Sequence, residues 1–313
     1  MVKKHLQPST QSQLQAALLR SLPNKPAEDK ESISQMIRNL GILVGLFFTG
    51  VLLYSFLMGA YTYLTEEHVE TAEHMFHEHP KSLSQSSDGV FGKFDTAQLQ
   101  RGYGVYKEVC SACHSLEHVA FRDLQAIGYN EAEVKAIAAS FQVPAIDPET
   151  GEASTRDGLA ADKFPAVYPN DVAARAANNN AVPPDLSLMT KARHNGPAYV
   201  YSLLTGYQNP PKKLAEEFPD SMPGTGLHYN PYFANLNLAM APPITAEGQV
   251  SYADGTKASV DQMSKDVSAF LTWTAEPKME KRKQTGLAVL AFLLIFTILA
   301  YLSYRNIWAD KKH

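Results

Sequence analysis

Cysteine is nearly missing from this sequence: its 313 residues hold two, Cys110 and Cys113. A structural zinc site needs four ligands, and no second Cys/His pair at finger spacing completes the set. A βαβ pattern is also missing around the pair, so a thioredoxin-like dithiol lacks its context. Overall apolarity is low, with a mean hydropathy of -0.22, which argues against a polytopic membrane protein. Hydrophobic residues still make up 45%, too many for a disordered chain. Internal repeats are absent.

Charge is missing where its absence matters most. Residues 39–65 (NLGILVGLFFTGVLLYSFLMGAYTYLT) and 284–304 (QTGLAVLAFLLIFTILAYLSY) contain none. Each is long enough, as a helix, to cross about 30 Å of hydrocarbon. Tyr61, Tyr63, Tyr301, Tyr304 and Trp308 stand at their ends, where aromatic belts lie. Buried core helices would normally show a polar face. Residues 1–38 hold six Lys/Arg against three acids, and residues 66–277 hold 15 against 27, a net of -12. Residues 305–313 hold three against one. The positive-inside rule then puts both termini in the cytoplasm, or its equivalent, and the middle outside. Lys281, Arg282 and Lys283 run against the rule, on the outer side of the second span. Snorkelling of long basic side chains accommodates them. No A-x-A site follows the first span, so it reads as an uncleaved signal anchor; residues 1–27 carry no acid, and SQLQAALLRSL leaves a mitochondrial presequence as the alternative.

The order along the chain follows: a polar, poorly ordered extension (1–38), a first span (39–65), an acidic connector (66–92), an outer domain (93–277), a second span (284–304) and a tail (305–313). Helices are expected at 95–109, capped by Asp95 or Thr96, and at 130–140, capped by Asn130. Residues 197–206 place Pro in a first helical turn and Gly at the end. In residues 259–275, Val260, Met263, Val267, Phe270 and Leu271 share one face. Residues 143–190 and 208–250 read mostly as loop, the latter with seven prolines. The fold class expected is mainly α with long loops. Such a domain would struggle to hold itself together on propensity alone, and a large apolar ligand at its centre would supply the missing core.

Cys110, Cys113 and His114 form a C-x-x-C-H run, the attachment signature of c-type haem. Each thiol adds across one vinyl group, and the adjacent imidazole points at the iron. The second axial position then decides the chemistry: a Met closes the site and favours Fe(II), whereas an open side admits ligands. Met36 and Met58 lie at or in the first span, Met75 and Met279 near the membrane, and Met263 and Met189 suit core positions. Met222 and Met240, both in proline-flanked loops, are left nearly even by spacing. His118, His194 and His228 are rivals more often found at surfaces or in hydrogen bonds. His74, His77 and His79 could hold a metal, although a solvated juxtamembrane segment is the plainer reading.

Six stretches carry a resemblance: RGYGVYKEVCSACHSL (101–116), YPNDVAARAANNNAVPPDLSLMTKARHNG (168–196), YVYSLLTGY (199–207), YNPYFANLNLAMAPPI (229–244), YADGTKASVDQMSKDVSAFLTW (252–273) and AEPKMEKRKQTGL (275–287). In order and spacing the chain resembles the cytochrome c1 family, the haem subunit of the cytochrome bc1 complex. The resemblance implies a class I-like c-type cytochrome domain outside the membrane, held by the C-terminal span. It implies one haem c bound covalently by Cys110 and Cys113, with His114 and Met240 as axial ligands. It implies Arg193 near a haem propionate, and Tyr106, Asn178, Pro184 and Tyr199 along the pocket. The KRK run belongs to the family pattern. The long extension and the first span depart from mature members, which usually keep a single C-terminal anchor.

The family's activity is one-electron transfer, from the Rieske iron–sulfur protein to cytochrome c. The chain is then not an enzyme on its own but a redox subunit of quinol–cytochrome c reductase. The other partners implied are cytochrome b and membrane lipid in a dimeric complex, with no nucleic acid. Net acidity suits a basic acceptor, with EEFPD (216–220) as a candidate contact. GAYTYLTEEH and GYNEAEVKAIAASF look alphaproteobacterial, which points to a bacterial inner membrane with a periplasmic haem domain; the mitochondrial inner membrane, facing the intermembrane space, is the alternative. An enzyme or sensor with an open haem position would require Met240 to be unligated, and a carrier outside any bc1 complex would not co-purify with cytochrome b.

Overall fold

The computed structural model describes residues 28–65 and 70–311, which fall into two compact units divided after Val69. The first unit is one helix, α1 (Glu28–Thr65). It begins before the uncharged stretch, so residues 28–38 are helical and not a loose extension. No Gly or Pro stands between 28 and 40 to stop propagation once the apolar segment has nucleated. The reading of 1–27, with its amphipathic SQLQAALLRSL, lies outside the described residues.

The second unit is mainly helical: α2 (Ala72–Phe76), α3 (Thr96–Val105), α4 (Glu131–Ala139), α5 (Asp171–Ala177), α6 (Met189–Ala192), α7 (Gly196–Leu204), α8 (Lys212–Glu217), α9 (Val260–Ala275) and α10 (Met279–Trp308). Both α1, from Ile33, and α10 are long and apolar enough to cross a membrane. At 95 and 130 the capping residues are those the sequence offered. Asp95 accepts from the amides of Ala97 and Gln98 at 3.0 and 3.3 Å. Asn130 accepts from Glu133 N at 3.0 Å, and Glu133 returns a bond to Asn130 N at 2.8 Å. Ser259 starts α9 by accepting from Gln262 N.

The two stretches read as loop contain more structure. Residues 143–190 hold α5, the start of α6 and most of an antiparallel hairpin, β1 (Gln142–Ile146) with β2 (Ala153–Asp157), paired from Gln142–Asp157 to Ile146–Ala153. Its tip is an Asx turn in which Asp147 Oδ1 accepts from the amides of Glu149 and Thr150. Pro144 disguises β1, but a two-stranded ribbon has only edges, where proline is tolerated. Residues 208–250 hold α8 and the short ladder β3 (His228–Tyr229) with β4 (Asn237–Leu238).

The core lies between α3 and α9. Met263, Val267, Phe270 and Leu271 are buried, and Val260 packs at the edge, as the helical periodicity required. The helices touch at Gly102, where any Cβ would overlap the Asp266 carbonyl. That approach sets Tyr103 and Tyr106 against Phe270, with ring centroids 5.7 and 5.9 Å apart. Phe121, Phe141 and Phe164 extend the aromatic cluster. A smaller cluster joins Ala72, Leu214, Tyr229 and Leu236, with Phe76, Phe218 and Met222 packed on it.

The connector folds onto this unit. Lys81 donates from its backbone to Ser202 Oγ at 2.8 Å and from Nζ to Thr205 O and Oγ1 at 3.0 and 2.9 Å. The KRK run is largely spoken for: Arg282 forks onto Glu276 at 2.7 and 2.8 Å, and Lys283 Nζ donates to the Ser87 carbonyl at 2.6 Å. Tertiary contacts therefore hold these cations where the charge rule alone would not put them.

The loop after β2 makes a pH prediction. Arg156 forks onto Asp162 at 2.6 and 3.0 Å, and Asp162 also accepts from Leu159 N. First the guanidinium, then the amide, holds the Asp162 carboxyl down at about 2. A carboxyl lowered on folding stabilises the fold above its unfolded pKa of about 3.9 and loses that contribution as pH falls through the folded value. Hydrogen exchange is expected to show the Leu159 amide protected at pH 5 and opening as pH approaches 2. Opening near pH 4 would contradict the clip.

Candidate haem site

Helix α3 does not stop at Val105. It widens into a π-turn over Tyr106–Cys110, where Ser111 N reaches back to Tyr106 O at 2.8 Å. Such bulges mark functional positions in helices. Cys113 N and His114 N then both donate to Cys110 O, at 3.1 and 2.9 Å, so the C-x-x-C-H residues share one closed turn. Cys110 is half-buried against the main core, and Cys113 is exposed. Burial pushes the Cys110 thiol up to about 12. A redox dithiol requires the opposite displacement, which disfavours that rival.

His114 is oriented by its neighbours. Its Nδ1 lies 2.8 Å from the Pro184 carbonyl. A carbonyl only accepts, so Nδ1 carries the proton and the lone pair of the neutral ring sits on Nε2. Burial lowers the imidazole pKa, opposed by the Pro184 contact and by Asp185, so the ring is kept neutral. Tyr106 OH donates to the His114 carbonyl at 3.1 Å.

Pro184 is itself held by a residue the sequence reading did not single out. The Asp185 carboxylate accepts from Glu117 N (2.8 Å), Ser115 Oγ (3.0 Å) and Ser187 N (2.8 Å). Burial alone would raise the Asp185 pKa; these donors outweigh it and hold the carboxyl below its ordinary range. Segment 184–187 is thereby tied to segment 115–118, with Leu186 N to Ser115 O completing the join. The only sequence signal was an Asp after two prolines.

Met240 lies two residues beyond β4, whose Leu238 pairs with His228. Tyr207 OH donates to the Met240 carbonyl at 3.0 Å and stacks edge-on against His228. Downstream, Ile244 is buried in the main core, so the AMAPP segment runs from the ladder into that core. Met222, its rival by spacing, packs instead on the smaller cluster, and Met263 is wholly buried. Tyr207 is a second positioning residue that sequence reasoning missed.

The remaining candidates sort into two groups. Arg193 and Tyr199 are neighbours: burial raises the Tyr199 hydroxyl, and the Arg193 guanidinium works against that. Asn178 stands apart, its amide donating to Ala174 O and its oxygen accepting from Tyr168 OH. Of the histidine rivals, His118 and His194 are exposed, and His228 stays partly buried beside Tyr207. Among the described residues no group of three or more His, Cys, Asp or Glu is placed to hold a metal ion, the His74/His77/His79 run included.

The donor set fits a c-type haem: two thiols on one turn, an adjacent imidazole with Nε2 left free, and an apolar core against Cys110. The comparisons agree. Residues 85–311 match the Cytochrome C1 family. Mitochondrial cytochrome c1-2 of Solanum tuberosum is 46% identical over 225 residues, 72% of this chain and 83% of that protein. Cytochrome c1 of Rhodospirillum rubrum is 44% identical over 234 residues, 72% of this chain and 86% of that protein. The cytochrome b/c1 protein of Bradyrhizobium diazoefficiens is 43% identical over 247 residues, 74% of this chain and 36% of its own longer length.

Proposed function

Because the chain belongs to the cytochrome c1 family, we propose that it holds one haem c covalently through Cys110 and Cys113 and passes single electrons through it from the Rieske protein to cytochrome c. Family membership carries haem-based electron transfer within the bc1 complex; the donor, the acceptor and the ligand set are the finer reading. The observation that bears it is the closed turn in which His114 Nδ1 is tied to the Pro184 carbonyl.

When bound, the haem supplies a one-electron Fe(III)/Fe(II) couple. The chain's own residues do the rest. His114 presents Nε2 because Pro184 holds Nδ1, and Asp185 fixes Pro184. Met240 would be the second iron ligand in this reading, as the resemblance implies, and the packing of Met222 on the smaller cluster supports it. Arg193 offsets the charge of a propionate, with Tyr199 beside it. Tyr106 and Pro184, both bonded to His114, would line the pocket, and Asn178 is assigned to it by the resemblance alone. The outer part, rich in acids, attracts a basic acceptor. The relative named cytochrome b/c1 supports cytochrome b as a partner; in this reading cytochrome b packs on α10, within a dimeric complex. The resemblance to bacterial relatives supports an inner membrane with a periplasmic haem domain, the mitochondrial membrane being the alternative.

The test is direct. The intact mass of the purified chain should exceed that of the polypeptide by one haem, and Cys110→Ser with Cys113→Ser should lose it. The reduced chain should then be oxidised by a basic soluble cytochrome c at a rate that falls steeply as salt rises. A chain without covalent haem, or one that does not react with the acceptor, would end this reading.

A further inference from the structure

A tight turn beside the start of α10 is rigid at its base and apolar at its tip. Lys93 N donates to Ser86 O at 3.0 Å and closes the neck. Gln85 N donates to Asp88 Oδ2 at 2.7 Å, and Thr272 of α9 bonds Gln85 Oε1 at 3.2 Å. Gln85 and Ser87 are buried. The chain reverses at Gly89, whose φ of 70° suits glycine, and a Cβ at Gly92 would overlap the Asp88 carbonyl. Beyond this base, Val90 is 57% and Phe91 82% exposed. A constrained turn that displays a phenylalanine to water has no stability reason for doing so.

Its position along α10 says what covers it. Lys283 Nζ donates to Ser87 O at 2.6 Å and contacts Gly92 O at 3.5 Å, and Glu280 Oε1 accepts from Phe94 N at 2.8 Å. The uncharged stretch of α10 begins at the next residue, Gln284. Its 21 residues span about 31 Å at the helical rise, the thickness of the hydrocarbon layer. The turn is therefore pinned at the depth where the helix enters the membrane. Lys93 and Lys281 are exposed beside it, cations suited to phospholipid headgroups.

We propose that the Gly89–Phe91 turn is a second membrane contact, with Val90 and Phe91 set into the interfacial layer of the bilayer beside α10. Together with α10 it gives two points of attachment, which fixes the tilt of the unit above the membrane where one helix would leave it free to pivot. The inference rests on α10 crossing the bilayer.

The experiment uses the full chain carrying its haem, reconstituted in vesicles of equal phosphatidylcholine and phosphatidylglycerol. Spin labels are placed singly at Phe91→Cys, at Leu294→Cys within α10, and at Ile146→Cys on the exposed hairpin. The parent chain corrects for any labelling at Cys110 and Cys113. Collision with oxygen relative to a water-soluble nickel chelate reads depth. The ratio at 91 should exceed that at 146 several-fold and approach that at 294. A ratio at 91 equal to that at 146, with 294 high, overturns the turn contact alone. Low access of both reagents at 91 would show a protein surface covering it instead, and also overturns it. A low ratio at 294 removes the span and the proposal with it. Unchanged thermal unfolding of the labelled variants confirms folding.

Discussion

Met240→Leu is expected to abolish the Met-to-iron charge-transfer band of the oxidised chain and to lower its midpoint potential. A drop on the order of 100 mV is a modest part of the roughly 0.8 V that axial ligands command. A thioether favours Fe(II), and leucine offers no lone pair. Leucine is close in volume, so the fold should lose less than about 1.5 kcal/mol. The Tyr207 hydroxyl bonds the main chain of residue 240, not its side chain, so that contact survives the substitution. Met222→Leu is the control: its side chain packs on the smaller cluster with Tyr229 and Leu236, and its band should persist. Loss of the band in Met222→Leu and retention in Met240→Leu would reverse the ligand assignment. A wild-type chain without the band, binding carbon monoxide when reduced, would favour an open haem site.

Arg101→Ala is expected to cost about 3–5 kcal/mol of stability, the usual result of stripping a buried ion pair of one partner. Arg101 lies on α3 and bonds Asp266 of α9 at 2.9 and 3.4 Å, and Asp254 at 2.7 Å. The Asp266 side chain is wholly buried, while that of Arg101 is 15% exposed. Burial works against the guanidinium, but the two carboxylates prevail and hold its pKa above the ordinary value. Without it, Asp266 keeps the Gln262 Nε2 donor at 2.8 Å but no cation. Arg101→Lys should fall between, since an ammonium cannot fork onto both carboxylates. Urea unfolding of the chain in detergent measures both. A loss below about 1 kcal/mol for the alanine variant would mean that the α3–α9 contact does not depend on this network.

The helices were legible wherever the chain carried its own punctuation. Asp95 and Asn130 cap the helices they announce, and the apolar face of α9 is the one its periodicity described. The hairpin at 142–157 was not legible, because Pro144 and a polar β2 hide the alternation that betrays a strand. Residues 28–38 read as polar extension because composition does not reveal that a helix nucleated downstream runs back through them.

The site divides in the same way. The sequence by itself pointed to covalent haem attachment, because C-x-x-C-H is a contiguous signature: two thiols one turn apart and an imidazole next to them. It also marked two stretches long and apolar enough to cross a membrane, since hydrocarbon thickness is a length requirement on uncharged residues. Only the tertiary structure decided what orients His114, because Pro184 and Asp185 lie about 70 residues away along the chain. Spacing left Met222 and Met240 even and the family resemblance selected Met240; the tertiary structure adds that Met222 packs on the smaller cluster, which depends on segments remote in sequence. The same holds for Lys283, whose charge looked misplaced until the Ser87 carbonyl was found beneath it.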